Sequence, residues 1–171
     1  MTLFDAEALY ATLRDQIRAA YPDWTQPDGP VIAGIHTGGA WLAERLAADL
    51  GVKAFGVVNV ALHRDDYAKK GLHSEAASTA LPFAVEGRRV VLLDDVLYTG
   101  RTVRAAINEL YDFGRPAAVE LAVLVDRGGR ELPFAARFVG TSVDTVPRET
   151  TLVLKRDAAG RFTFGTEASG A

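Results

Sequence analysis

Val90–Thr102 reads VVLLDDVLYTGRT, an apolar run that ends in two adjacent acids, Asp94 and Asp95, and then breaks into small polar residues around Gly100. A glycine at position 100 permits close approach of a ligand to the backbone. Thr99 and Thr102 offer hydroxyls, and successive amides from Tyr98 to Thr102 can point at an anion at the start of a following helix. Two carboxylates immediately before such a cradle would repel a phosphate unless they face a neutral polyol, whose hydroxyls donate hydrogen bonds to them. The spacing therefore suggests a ribose 5-phosphate, with hydroxyls on Asp94 and Asp95, phosphate on Tyr98 to Thr102, and Val96, Leu97 and Arg101 completing the loop. The same residues also fit a plain strand end followed by a helix cap, since glycine-rich strand-to-helix turns are common.

Elements must bring such residues to one place. Asp5 can cap a helix whose apolar positions Ala6, Leu9, Leu13 and Ile17 recur at helical spacing, and the prolines and glycine between Pro22 and Pro30 break it. VIAGI, Val31–Ile35, reads as a short buried strand that runs into HTGGA, His36–Ala40, before helical periodicity resumes over Trp41–Leu50. Ala54–Leu62 is expected as a second strand, Val90–Leu93 as a third, Val103–Phe113 as a helix and Ala118–Val125 as a further strand. His63–Ala80 is polar, carries both charge signs and has no clear period, which suggests a long mobile loop. The alternation of strand and helix argues for a parallel α/β sheet with right-handed crossovers. In such sheets ligands lie beyond the carboxyl ends of the strands, where both HTGGA and DDVLYTGRT fall. After Asp126 the short runs RGGRELPF, RFVGT, TTLVLK and RFTF read as strands and turns of a small cap.

Composition narrows the field. The 171 residues, 49% of them hydrophobic, can bury one core, so one domain over 1–171 is expected, with the core at about 5–125 and the cap mainly at 126–165. There is no cysteine, hence neither a disulfide framework nor a thiolate site, and the three histidines are too scattered to suggest a metal. No apolar run is long enough to span a bilayer, and no secretory leader is apparent, so a soluble, cytoplasmic protein without membrane contact is expected. A net charge of −3 argues against broad nucleic-acid binding but leaves a local RNA patch open.

The apolar run, the two acids, the TG and the T together resemble the phosphoribosyl pyrophosphate signature of type I phosphoribosyltransferases. DDVLYTGRTVRAA and GRPAAVELAVLVDRGGRELP are similar to one branch, the PyrR family of uracil phosphoribosyltransferases, some of which regulate pyrimidine genes by binding messenger RNA. The resemblance extends from the first helix to about Leu154. It implies a type I phosphoribosyltransferase fold, a central parallel sheet flanked by helices with a small β-rich hood. It implies that uracil and phosphoribosyl pyrophosphate give UMP and pyrophosphate, with Mg2+ held mainly through the substrate. A homo-oligomer, dimer or higher, is expected.

The family's motifs carry over residue by residue. HTGGA matches the pyrophosphate loop in Thr37 and Gly39 and departs at Gly38, where better-known members have arginine. Arg64, Asp65 and Asp66 match the start of the family's flexible lid, and Arg64 is the candidate for a catalytic charge delivered by closure. DRGGRELP matches the base-reading hood except that Gly129 stands where histidine is common, and Val125, Arg127 and Leu132 are expected to line the base pocket. A plain β-turn at Gly128-Gly129 with an exposed Arg130 fits the same stretch. The RNA-binding members place basic residues on the first helix and after RELP. Here Arg14 and Arg18 are one turn apart, but Asp15 adjoins them, and Ala135 and Thr141 stand where those relatives look basic. The expectation is an enzyme that binds leader RNA weakly or not at all. Rival readings are a phosphoribosyltransferase for another base, an RNA-binding regulator with vestigial catalysis, and a nucleotide sensor without turnover.

Overall fold

A computed structural model describes residues 4–61 and 78–168 of the chain. Among these described residues, seven strands and three helices form in the order α1 (Ala6–Ala20), β1 (Val31–Ile35), α2 (Gly38–Leu50), β2 (Gly56–Val58), β3 (Arg89–Leu97), α3 (Arg101–Tyr111), β4 (Ala118–Asp126), β5 (Phe138–Ser142), β6 (Thr150–Arg156) and β7 (Phe162–Ala168). Five strands make one sheet in the order β2-β1-β3-β4-β5, every neighbouring pair parallel. The expected α/β architecture is thus present. From β1 the chain first goes to one side, to β2, and then crosses to β3 on the other, so the strand order reverses between β1 and β3. Loops leaving the carboxyl ends of those two strands diverge and leave a crevice.

Each face of the sheet has its own cover. α1 and α2 lie on one face, where Leu13, Ile17, Leu42 and Leu46 meet Ile32, Val91, Leu93 and Leu124. α3 lies on the other, burying Val103, Ala106 and Leu110 against Val31, Ala33, Val90 and Leu92. α1 begins where Asp5 accepts the Ala8 amide at 3.1 Å, as its sequence suggests. Its buried stripe is Ala6, Tyr10, Leu13 and Ile17, so Tyr10 takes the place expected of Leu9 and donates its hydroxyl to Asp49 at 2.6 Å.

Several boundaries differ from expectation. β2 spans only three residues, because the Asn59 side chain accepts the Ala61 amide at 2.9 Å and the Asn59 amide turns to the Thr79 hydroxyl at 3.0 Å. β3 does not stop at Leu93: its register with β4 continues through Asp94↔Val123 to Leu97↔Asp126, so both acids lie within a strand. Phe138–Ser142, assigned to the cap from sequence, is the fifth strand of the central sheet, paired with Ala122–Asp126. The last two strands form an antiparallel hairpin outside that sheet. The hairpin packs beside α1, with the Tyr10 and Phe162 rings 5.9 Å apart, and Arg45 joins them, its guanidinium 3.8 Å from the Phe162 ring and its Nη1 donating to both carboxylate oxygens of Glu7 at 2.8 Å.

At the amino end of the sheet, Glu120 on β4 is buried and accepts hydrogen bonds from Tyr21, Arg89 and Arg137. Burial alone would raise its pKa, but these hydrogen bonds together hold it below its ordinary 4.5. A carboxylate whose folded pKa is depressed stabilises the fold above its unfolded pKa and loses that contribution as pH falls through the folded value. Glu120→Gln is therefore expected to be less stable than the native chain at pH 7, with the gap narrowing as urea melts are repeated below pH 4.5. A gap independent of pH would show that the charge is not what matters.

Candidate active site

The site is built where α2 starts against the middle of the sheet. Two glycines allow this. A Cβ on Gly34 of β1 would fall 2.0 Å from the Gly39 carbonyl oxygen, and one on Gly39 would fall 2.2 Å from that of Leu93. Helix and sheet thus meet backbone to backbone, which gives Gly39 a packing role in addition to any role in the loop. Gly38, at the first position of α2, lies against Asp95: a Cβ there would be 2.9 Å from the carboxylate oxygen Oδ2. Thr37 is exposed just before it, across a cis peptide from His36. The structure therefore brings Gly38, at the start of α2, against Asp95 of β3, with Thr37 adjoining.

Asp94 is buried at 7% exposure, and Asp95 is partly buried. Asp94 Oδ1 accepts the Asp95 amide at 2.9 Å, and Asp95 Oδ1 accepts the Val96 amide at 2.8 Å. Burial pushes the Asp94 carboxyl well up, and the adjacent charge of Asp95 pushes it further. Burial also raises Asp95, partly offset by its hydrogen bonds with Asp94 and backbone amides. Burial and mutual repulsion thus disfavour ionising both acids together, and a ligand that brings hydroxyls or positive charge relieves this. Two hard oxygen donors could take part in holding a divalent cation, but among the described residues no group of three or more acids or histidines could do so unaided.

Beyond the acids the chain turns at Gly100, whose φ of +96° is open to glycine and strained for other residues, and α3 begins at Arg101. Thr99 Oγ1 accepts the Arg101 amide at 3.2 Å, while Arg101 and Thr102 are exposed at the first turn. Leu97 faces inward at 1% exposure and Val96 is partly buried, so these two shape the loop from within. A Cβ on Gly100 would lie 3.1 Å from Phe134 and 3.3 Å from Leu132, which brings Leu132 to the cradle. Gly100→Val would consequently press on the segment after β4 as well as on a ligand.

That segment is joined to the cradle along its length. The amides of Glu131 and Leu132 both donate to the Thr99 carbonyl, at 2.9 and 3.1 Å, and the Arg127 amide donates to Leu97 at 3.0 Å. Arg130 is not a bare surface arginine: it donates to the Tyr98 carbonyl at 3.0 Å, the Phe134 carbonyl at 2.8 Å and Asp126 Oδ2 at 2.6 Å. Sequence reasoning missed this staple, whose local trace is an acid and an arginine four residues apart. Arg127 is buried, with its two terminal nitrogens on the carbonyls of Thr150 (2.7 Å) and Pro147 (2.8 Å) and its guanidinium 4.0 Å from the Tyr98 ring. Val125 is fully enclosed in the core. Arg64 lies outside the described residues, as does most of the expected lid.

Residues 2–148 match the family model for the phosphoribosyl transferase domain. This chain belongs to that family. Among curated relatives, the bifunctional protein PyrR of Ralstonia nicotianae is 58% identical over 171 residues, covering 95% of this chain and 94% of its own. The bifunctional protein PyrR of Geobacter sulfurreducens is 49% identical over 141 residues, covering 80% of this chain and 79% of its own. These matches place the chain in the PyrR branch. A solved hypoxanthine phosphoribosyltransferase from Staphylococcus aureus superimposes with a TM-score of 0.61 over 86% of this chain and 80% of that one, at 18% identity. The type I phosphoribosyltransferase fold is therefore shared, and the acids, the glycine cradle and the loop at the start of α2 all lie inside the matched domain.

Proposed function

We propose that this phosphoribosyltransferase joins uracil to the ribose 5-phosphate of phosphoribosyl pyrophosphate, forming UMP and releasing pyrophosphate. The observation that carries the reading is the meeting, at one crevice, of the α2 start, the Asp94–Asp95 pair and a glycine-opened cradle joined to the segment after β4. The choice of uracil is supported by relatives in the PyrR branch and by the DRGGRELP segment.

The bond from the anomeric carbon to the pyrophosphate oxygen breaks as one to a uracil nitrogen forms, and the proton of that nitrogen passes to the departing pyrophosphate or to water. Positive charge gathers on the sugar in between. The carboxylates of Asp94 and Asp95 accept hydrogen bonds from the ribose hydroxyls and stabilise that charge. Amides of Tyr98–Thr102 hold the 5-phosphate still, and Thr37–Gly39 border the leaving group. Asp94 and Asp95 are the oxygen donors that would help to hold Mg2+ bound mainly through the substrate, and the ion would supply charge neutralisation for the leaving pyrophosphate. Leu132 belongs to the wall facing the base and Arg127 supports it by fixing its backbone, whereas Val125, expected to line the pocket, is enclosed in the core and takes no direct part. Arg64 remains the charge proposed to arrive on closure. The setting is a cytoplasmic homo-oligomer.

The test is UMP formation from uracil, phosphoribosyl pyrophosphate and Mg2+, run beside hypoxanthine and orotate. Product from uracil alone supports the reading. Product only from another base replaces it, and tight UMP binding without turnover points to a sensor.

The relatives are named as bifunctional, and the first helix bears on a second role. Arg14 pairs with Asp15 at 3.0 Å and reaches Asp49 at 4.0 Å, while Arg18 donates to the Asp49 carbonyl at 3.1 Å. Both cations are tied within the chain, which weakens a phosphate-gripping face. Titration with the protein's own pyrimidine leader transcript at physiological salt is expected to show weak binding with little dependence on UMP. Tight binding that UMP strengthens, and that Arg14→Ala with Arg18→Ala removes, would make regulation the main function.

A further inference from the structure

Tyr98 contributes the aromatic ring of the cradle, and its ring leaves the cradle for the segment after β4. One side is covered by the Arg127 guanidinium at 4.0 Å. Another abuts Gly129 so closely that a Cβ there would lie 2.3 Å from Cε1 and 2.8 Å from Cδ1 of the ring. The ring thus fills the volume that a side chain at 129 would use. Neither wall yields readily. Arg127 is 6% exposed and fixed by the carbonyls of Thr150 and Pro147, and the Tyr98 carbonyl is held by Arg130. A ring clasped in this way is a fixed block.

Its place in the site gives the block a use. β3 and β4 are in register at Leu97↔Asp126, so Tyr98 starts the cradle beside the residues that follow β4. A ribose with its hydroxyls on the acids and its phosphate on Gly100–Thr102 presents its anomeric carbon toward that gap, and the base must fill what Tyr98 leaves open. A pyrimidine is one ring and a purine two. Pockets reject a larger ligand strongly only when a wall cannot move aside.

We propose that Tyr98, wedged between Arg127 and Gly129, is the residue that limits this enzyme to single-ring bases. The inference rests on the uracil reading above. Glycine at 129 suits this seat on two counts: its φ is +73°, and a side chain there and the tyrosine ring in its present seat exclude one another.

The experiment compares the native chain with Tyr98→Ala, Tyr98→Leu and Tyr98→Phe, measuring kcat/KM with uracil, hypoxanthine and guanine, and measuring UMP and IMP affinity calorimetrically. Native enzyme is expected to use uracil alone. Tyr98→Ala should raise the purine-to-uracil ratio of kcat/KM by about 100-fold and bring IMP affinity to within about tenfold of UMP affinity. Tyr98→Leu, which keeps an apolar cover on Arg127 should Tyr98→Ala not fold, should move both ratios the same way. Tyr98→Phe keeps the ring and should keep the exclusion. An unchanged ratio in folded Tyr98→Ala or Tyr98→Leu overturns the inference, as does purine use by Tyr98→Phe. Native enzyme that makes no UMP defeats the uracil reading instead, and the UMP-to-IMP affinity ratios then decide the wedge separately.

Discussion

Asp94→Asn combined with Asp95→Asn is expected to slow UMP formation by about 10²–10³-fold, the scale on which losing a group aimed at developing charge is felt, while making the protein harder to unfold at neutral pH. The first effect follows from removing negative charge beside the sugar. The second follows from burial. A strand-end position would make the acids thermodynamically neutral, but Asp94 is 7% exposed inside β3, and both carboxyls have folded pKa values above the usual 3.8. For an acid raised on folding, stability is fully present below the unfolded pKa and declines as pH rises through the folded one. The native pair therefore costs stability at pH 8 and little at pH 3. Asparagine keeps the Oδ1 acceptors and cannot ionise, so its melting temperature should exceed the native one at pH 8 and approach it at pH 3. Full turnover in the folded double variant would remove the acids from the mechanism, and a lower melting temperature at pH 8 would refute the electrostatic account. Sites that trade stability for activity in this way are common among enzymes.

Gly34→Ala is expected to cost about 3 kcal/mol or more, at the upper end of what overpacking does. The added carbon would meet the Gly39 oxygen at 2.0 Å and its carbonyl carbon at 2.4 Å, both main-chain atoms of α2 that cannot turn away. Relief requires α2 to lift from the sheet, withdrawing Leu42 and Leu46 from the core. Gly38→Ala is the informative contrast. The nearest atoms to its new carbon belong to the Asp95 side chain, the closest being Oδ2 at 2.9 Å, and a carboxylate can rotate. Urea denaturation should find Gly38→Ala near native stability and Gly34→Ala far below it. Equal stabilities would mean that helix and sheet are not held at backbone contact.

How much of this was legible follows from where each signal resides. VIAGI, VVLL and LAVLV announce strands because a parallel strand covered on both faces is apolar throughout. The same rule misplaced the end of β3, since Asp94 and Asp95 end the apolar run while the register persists to Leu97. FVGTS is short and mostly small or polar, and its place in the sheet depends on β4 and on Gly140, whose absent side chain leaves room for the Leu124 carbonyl and Leu9. None of these partners is local. In the site, the acids, the Gly100 turn and HTGGA were visible because their chemistry is carried by residue type. The grip of Arg130 on Tyr98, and the exclusion between Tyr98 and Gly129, join residues about thirty positions apart and leave no periodic trace.

The doubly used carbonyl of Thr99 has a further consequence for affinity. Because the segments that follow β3 and β4 are bonded into one rigid body, the two halves of a nucleotide are received at a fixed separation. Once the phosphate end is seated, the base faces its slot at an effective concentration set by the ligand's own short linker, and little chain entropy remains to be lost. On the proposed reading, UMP should bind far more tightly than separate ribose 5-phosphate and uracil. Cutting the bonds to Thr99 would lower that advantage while leaving each fragment's own affinity nearly as it was.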